Sequence, residues 1–218
     1  MESKAEIRRR MRRQRRQLGL RERTQAARRL AALLRRNRLY RHSRHIAGYW
    51  AVDGEMDLGA FLQYAHQDGR AIYLPALSRG SSRNLRFHRY HPAARLRANR
   101  FGIPEPVARP SDQIACRSLD LVLLPLVAFD RQGHRLGMGG GFYDRAFATL
   151  RQWSGRWRHP QLLGVAFSFQ RVAELPAEPW DVPLAGVATE RGLIRCSPRM
   201  ARSIETTAEY LFAQTGRA

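Results

Sequence analysis

Lysine is nearly absent from these 218 residues: of 39 basic side chains, only Lys4 is a lysine. Arginine serves almost wherever a positive charge is used, which is a compositional habit, and a lone lysine stands out against it. Cysteine is also scarce. Cys116 and Cys196 lie far apart and fit neither a metal-ligand nor a redox spacing, so they are expected to be reduced, ordinary packing residues. No apolar run reaches 18 residues, and the basic start MESKAEIRRRMRRQRR has no apolar segment behind it. Neither a membrane span nor a secretory leader is expected, and the cytoplasm is the expected compartment. Gly-Lys-Ser/Thr is missing too, so a nucleotide loop here cannot be a Walker A loop.

What is present suffices for a core. With 44% hydrophobic residues, the chain reads as one domain over residues 1–218 that needs no partner to fold, and a monomer is expected. The net charge of +21 is unevenly spread: residues 1–45 hold 17 basic residues against 3 acidic ones, and the remainder holds 22 against 15. Such a segment serves either as a solvated basic helix or as a sequence-independent footprint for nucleic-acid phosphates. The arginine habit favours the first reading. The rival is an RNA-binding protein whose affinity would fall steeply with salt and vanish with residues 1–23.

Residues 2–36 hold no proline and place Ile7, Met11, Leu18, Leu30, Leu33 and Leu34 at helical separations. They read as two helices broken near Gly19, with Thr24 as a cap for the second, and residues 1–40 as a basic helical segment packed on the rest. Lys4, Arg8 and Arg12 recur every four residues and so share one helix face. Strand character follows at 45–51 (HIAGYWA), 70–75 (RAIYLP) and 85–90 (LRFHRY), with a helix at 57–69 ended by Gly69. Strand, helix, strand indicates a parallel crossover. Residues 91–118 read as a surface excursion. The run LDLVLLPLVAF at 119–129 suits a strand buried on both faces whose pairing ends near Pro125. A further strand at 161–167 and a hairpin over 184–196 complete an α/β chain.

The chemistry concentrates in DRQGHRLGMGGGFYDR, residues 130–145, between the buried strand and FYDRAFATLRQW, an amphipathic segment with helical character. Five of the 17 glycines fall within 133–141. Glycines between a strand and a helix let the backbone approach a ligand closely and aim free N–H groups at an anion, which is a phosphate site. Arg135 and Arg145 flank it with paired donors. Asp144 serves either the helix dipole or a Mg²⁺ ion, since hard oxygen ligands hold that ion beside phosphates. Phe142 and Tyr143 stack on a ring or pack. A second constellation, YWAVDGEMD at 49–57, sits at a strand end, where α/β folds place ligands, so Trp50 and Glu55 are candidates and Asp57 is a helix cap.

Lys4 with Arg8, YWAVDGEMD, IPEP at 103–106 and LPLVAFDRQGHRLGMGGGFYDR at 124–145 follow one another as in the 5-formyltetrahydrofolate cyclo-ligase family, which the chain resembles over nearly its whole length. The resemblance implies a three-layer α/β domain on a mixed, mainly parallel sheet. It also implies ATP-dependent cyclisation of 5-formyltetrahydrofolate to 5,10-methenyltetrahydrofolate, releasing ADP and phosphate. By the same resemblance Lys4 and Arg8 reach ATP phosphates. Arg135, Leu136, Gly137, Met138, Gly139, Gly140, Gly141, Phe142 and Tyr143 form the ATP loop. Trp50, Glu55, Met138 and Phe142 contact the folate, polyglutamylated or not. Arg135, Tyr143 and Arg145 are the candidate catalytic residues, and Asp144 with Asp181, in EPWDVPL at 178–184, the Mg²⁺ ligands. Met138 stands where the family commonly has an aromatic or basic residue, and Phe142 where tyrosine is common. These departures keep open an ATP-dependent enzyme acting on another small substrate.

Overall fold

The computed structural model describes residues 2–77, 85–107, 109–149, 160–176 and 178–196. Helices α1 (Lys4–Gln17), α2 (Leu20–Arg36) and α3 (Arg38–His42) precede β1 (His45–Ala47), α4 (Gly59–Gln67) and β2 (Ala71–Leu77). Then come β3 (Leu85–Tyr90), β4 (Leu96–Ala98), β5 (Pro104–Pro106), β6 (Gln113–Ile114) and β7 (Leu121–Pro125). A small hairpin, β8 (Ala128–Phe129) with β9 (Arg135–Leu136), leads to α5 (Phe142–Ala146), and β10 (Gln161–Val165), β11 (Gly186–Thr189) and β12 (Gly192–Arg195) follow.

Eight strands form one sheet in the order β12-β11-β10-β7-β1-β2-β3-β6. The central pairings β11·β10, β10·β7, β7·β1 and β1·β2 are parallel, and the outer ones are antiparallel. The mainly parallel sheet expected from sequence is therefore present. Side-chain alternation sorts the core. Leu121 and Leu123 of β7 point to the face covered by α2 and α4, whereas Val122 and Leu124 point to the face holding Phe87, Phe129 and Phe147. A strand buried on both faces has no polar side to show, which is why 121–125 is apolar at every position.

Local chemistry explains the boundaries. Ser3 and Glu6 form a reciprocal capping box at the start of α1. The second helix starts at Gly19 and not at Thr24, whose hydroxyl lies inside the helix and donates to Leu20 O at 2.9 Å. Asp57 does accept from the Gly59 N–H, 2.8 Å, beside α4, and Gly69, φ +71°, ends that helix in the left-handed region. Helix α5 is a five-residue segment; residues 150–153 of the expected amphipathic helix lie outside the described residues. Both cysteines are half-buried and free, packed at the margin of the second core face, and burial pushes the Cys196 thiol up to about 12.

Helix α1 packs on the β8–β9 hairpin. Ile7 and Met11 bury against Val127, Ala128, Leu136 and Leu175, each burial being worth about 1.5–3 kcal/mol. Its last turns carry Arg12, Arg15 and Arg16, and all three bind the Asp53 carboxylate at 2.6–2.9 Å.

The β11·β12 pairing offers a test of this packing. A Cβ on Gly186 would stand 2.9 Å from the Ile194 carbonyl oxygen, backbone that cannot swing aside. Gly186→Ala should lower stability by about 1–3 kcal/mol, seen as a drop of several degrees in thermal midpoint. An unchanged midpoint would contradict the close approach of the two strands.

Candidate active site

Strands β10, β7, β1 and β2 run parallel, and the segments leaving their C-terminal ends enclose a cavity of about 440 Å³. Its walls come from residues 49–55 after β1, the end of β2, the β4–β5 hairpin, the glycine loop, the first two turns of α1 and residues 178–181. Every sequence-predicted site residue except Arg145 lines it. Lys4, Arg8, Trp50, Glu55, Arg135, the 136–143 loop, Asp144 and Asp181 therefore share one chamber.

The glycine loop is held at its root by Asp130, a fully buried carboxylate. It accepts from the N–H groups of Gln132 (2.9 Å), His134 (3.0 Å) and Leu175 (3.0 Å) and faces the His134 Nδ1 at 2.9 Å. One side chain thus closes the β8–β9 turn and ties it to the segment leading to residues 178–182. Gly139 (φ +97°) and Gly141 (φ +60°) occupy backbone space that L side chains rarely adopt, so the loop needs glycine at both. Arg145 stays outside the chamber and shapes the loop, donating to Gly140 O at 2.6 Å with its guanidinium over the Phe142 ring.

The cations inside are already engaged. Lys4 pairs with Glu178 at 3.1 Å, and the Arg8 Nε donates to Gly137 O at 2.8 Å. Arg135, nearly buried, bonds Asp144 Oδ1 and the Val182 carbonyl. The half-exposed Lys4–Glu178 pair is screened and weak, so an incoming anion displaces it at little cost. Glu178 is a residue that sequence reading passed over: its signal was its place in EPWDVPL, where only Asp181 was singled out. Arg12, expected beside Lys4 and Arg8, turns instead to Asp53.

Burial sets the protonation of two further groups. It pushes Glu55 above the usual carboxylate range, against the Val52 N–H bond and the charge of Arg15. It also raises Tyr143, with the Glu55 charge adding to the effect, so Tyr143 stays a neutral phenol able to donate a proton or a hydrogen bond. Tyr143 packs parallel to Phe147, ring centroids 6.5 Å apart. Around the mouth stand exposed apolar groups: Trp180 (61% exposed), Phe101 (57%) and Met138 (50%), with Phe101 edge-on to Phe142 and Trp50 edge-on to Tyr90. Such a rim suits a planar ring. Trp180 and Phe101 were not legible as site residues, because their exposure beside the cavity is created by chain segments remote from the glycine loop.

The acids suit a hard cation only in part. Among the described residues no three or more His, Cys, Asp or Glu side chains converge as a metal site. Asp144 uses Oδ1 for Arg135 and the Val182 N–H, and Asp181 uses Oδ2 for the Glu178 N–H, leaving each one carboxylate oxygen. Two such oxygens fit an ion whose remaining ligands are water and ligand phosphates, the usual manner of Mg²⁺.

Residues 1–190 match the model of the 5-formyltetrahydrofolate cyclo-ligase family. A 5-formyltetrahydrofolate cyclo-ligase of Haemophilus influenzae is 42% identical over 144 residues, 66% of this chain and 74% of that protein. The protein of the same name from Escherichia coli K12 is 42% identical over 144 residues, 66% of this chain and 76% of its own. The NMR structure of Aquifex aeolicus 5,10-methenyltetrahydrofolate synthetase superposes with a TM-score of 0.73 at 30% identity, covering 94% of this chain and 97% of that one.

If Asp130 roots the loop, Asp130→Asn should cost about 2 kcal/mol or more, because an amide group then faces N–H donors. A thermal midpoint lower by about 4–8 °C, with loss of turnover, is the expected result; wild-type stability would contradict the role.

Proposed function

The chain belongs to the 5-formyltetrahydrofolate cyclo-ligase family, and from that premise we propose how its cavity carries out the reaction. The protein is an ATP-dependent ligase that cyclises 5-formyltetrahydrofolate to 5,10-methenyltetrahydrofolate. The observation that carries our reading is the shared chamber, lined by the glycine loop with Lys4, Arg8 and Arg135 and by Trp50 and Glu55 together.

An N-formyl oxygen is a poor leaving group. In our reading the terminal phosphoryl group of ATP passes to that oxygen, giving a phosphorylated imidate and ADP. N10 then attacks the formyl carbon, the carbon–oxygen bond breaks, inorganic phosphate departs and N10 loses its proton. Little covalent work falls to the protein; placement and charge neutralisation supply the rate. Lys4, Arg8 and Arg135 offset phosphate charge, with Arg135 held in place by Asp144 and Val182. The 137–143 backbone lies against the phosphates, and Arg145 keeps its shape from outside. Tyr143, neutral by burial, donates toward the reacting oxygens. Trp50, Met138 and Phe142 hold the folate rings, and Glu55, with its raised proton affinity, faces the ring nitrogens. Asp144 and Asp181 would hold Mg²⁺, which supplies further charge neutralisation. We place the enzyme in the cytoplasm as a monomer whose basic surplus suits the glutamate tail of folate, and residues 1–218 as one domain.

Purified protein with 5-formyltetrahydrofolate, Mg²⁺ and ATP should generate the near-ultraviolet absorbance of methenyltetrahydrofolate, and an ATP-free control should not. Absence of product while ATP still binds would redirect the loop to another substrate. Asp144→Asn should raise the Mg²⁺ requirement and cut turnover by about 100-fold, of the order seen for removal of one charge-stabilising group. It should do so with little change in melting; equal loss of both would remove Asp144 from the metal site.

A further inference from the structure

Helix α1 enters the chamber with its first two turns and is anchored outside it by its last two. Lys4 and Arg8 line the cavity, whereas Arg12, Arg15 and Arg16 converge on Asp53, which does not. The three guanidinium groups reach the Asp53 carboxylate at 2.7, 2.9 and 2.6 Å, and the Arg15 Nε also donates to the Asp53 carbonyl at 2.9 Å. Arg15 is only 1% exposed, its Nη1 finds no hydrogen-bond partner, and Asp53 is its one ion-pair partner among the described residues. Asp53 itself has φ +51°, a left-handed backbone that costs energy in any residue with a side chain, although Asp and Asn bear it best. The neighbouring Gly54, φ +74°, leaves no room: a Cβ there would stand 3.2 Å from the Arg15 carbonyl oxygen. A charged side chain held in a strained turn against three arginines of a helix 38 residues away is costly unless the docking itself is needed.

We infer that Asp53 is a positioning residue for the ATP-phosphate side of the site: its clamp on Arg12, Arg15 and Arg16 sets where α1 holds Lys4 and Arg8 against the glycine loop. This rests on the reading of Lys4 and Arg8 as phosphate contacts. The clamp acts on one side of the chamber only. The loop around Asp53 keeps its own bonds, from Glu55 N–H to Val52 O, from Val52 N–H to Glu55 Oε2 and from the Tyr49 hydroxyl to Met56 O, so the placement of Trp50 and Glu55 rests on these bonds, while Glu55 feels the Arg15 and Asp53 charges with opposite signs. Ile7 and Met11 hold α1 by apolar burial independent of the clamp, so losing the clamp is expected to shift α1 and not to release it. The clamp persists across the working pH range. Burial pushes the Asp53 carboxyl up, but the Arg12 and Arg16 hydrogen bonds and the Arg15 charge outweigh it and hold it at about 2. With the folded value depressed, the contribution is present above the ordinary carboxylate range and is lost only as pH falls toward 2.

Asp53→Asn keeps the shape and tolerates the left-handed backbone while removing the charge. We expect KM for ATP, and the Kd of a non-hydrolysable ATP analogue, to rise about tenfold, with KM for 5-formyltetrahydrofolate changed less than twofold. The pair Arg12→Gln and Arg16→Gln, which leaves buried Arg15 in place, should produce the same split with a smaller rise and unaltered melting. Added to Asp53→Asn, that pair should bring no further loss, since both act through one contact. Unchanged ATP constants in both variants, or ATP and folate constants rising together, would overturn the inference. A wild-type protein that forms no product would instead overturn the underlying reading of the site.

Discussion

The Asp130 carboxylate has no contact with solvent and gathers the N–H groups of Gln132, His134 and Leu175 together with the His134 ring. Leu175 belongs to the segment that returns Glu178 and Asp181 to the cavity, and residues 132–134 lead directly into Arg135. Arg135 then meets that returning segment again at the Val182 carbonyl. The glycine loop and the returning segment thus hang from one side chain. Buried main-chain N–H groups must be paired, and a carboxylate offers enough acceptor sites to serve several donors at once.

From that root outward, the structure separates rigid support from adjustable charge. Beneath the site lies the two-faced strand β7, whose ladder stops at Pro125, a residue without an N–H to donate. Above it, the cations facing the chamber hold protein oxygens: Lys4 on Glu178, Arg8 on Gly137 O, Arg135 on Asp144. An anion entering there meets cations already held in position, so little side-chain freedom is left to lose. Helix α1 contributes to this from far away in sequence, anchored by apolar burial along its length and by Asp53 at its C-terminal end.

Much of this was legible before any coordinates. The apolar run at 119–129 is typical of a strand covered on both faces, and five glycines between that strand and a helix suit a close-approach loop. Trp50 and Glu55 stood out because parallel strands deliver their ends to ligands. Other features left no local trace. Arg12, Arg15 and Arg16 look like any solvated arginines until Asp53 arrives from the end of β1, and Asp53 looks like an ordinary turn residue until they reach it. Gly19, not Thr24, starts the helix, with the Glu22 carboxylate folding back to accept from the Gly19 N–H, a contact that single-residue preference does not reveal. Arg145, flanking the loop in sequence, reads as a phosphate contact, whereas in the fold it lies outside the chamber and donates to Gly140 O. Pairings across 38 residues or more are decided by the completed fold and not by spacing along the chain.

If one chamber brings the formyl oxygen to the terminal phosphate of ATP, that oxygen must leave with the phosphate. 5-Formyltetrahydrofolate carrying ¹⁸O in the formyl group, converted to completion, lets the released phosphate be weighed by mass spectrometry. Phosphoryl transfer to that oxygen requires one ¹⁸O in each phosphate formed. Unlabelled phosphate, with full conversion to methenyltetrahydrofolate, would contradict the account.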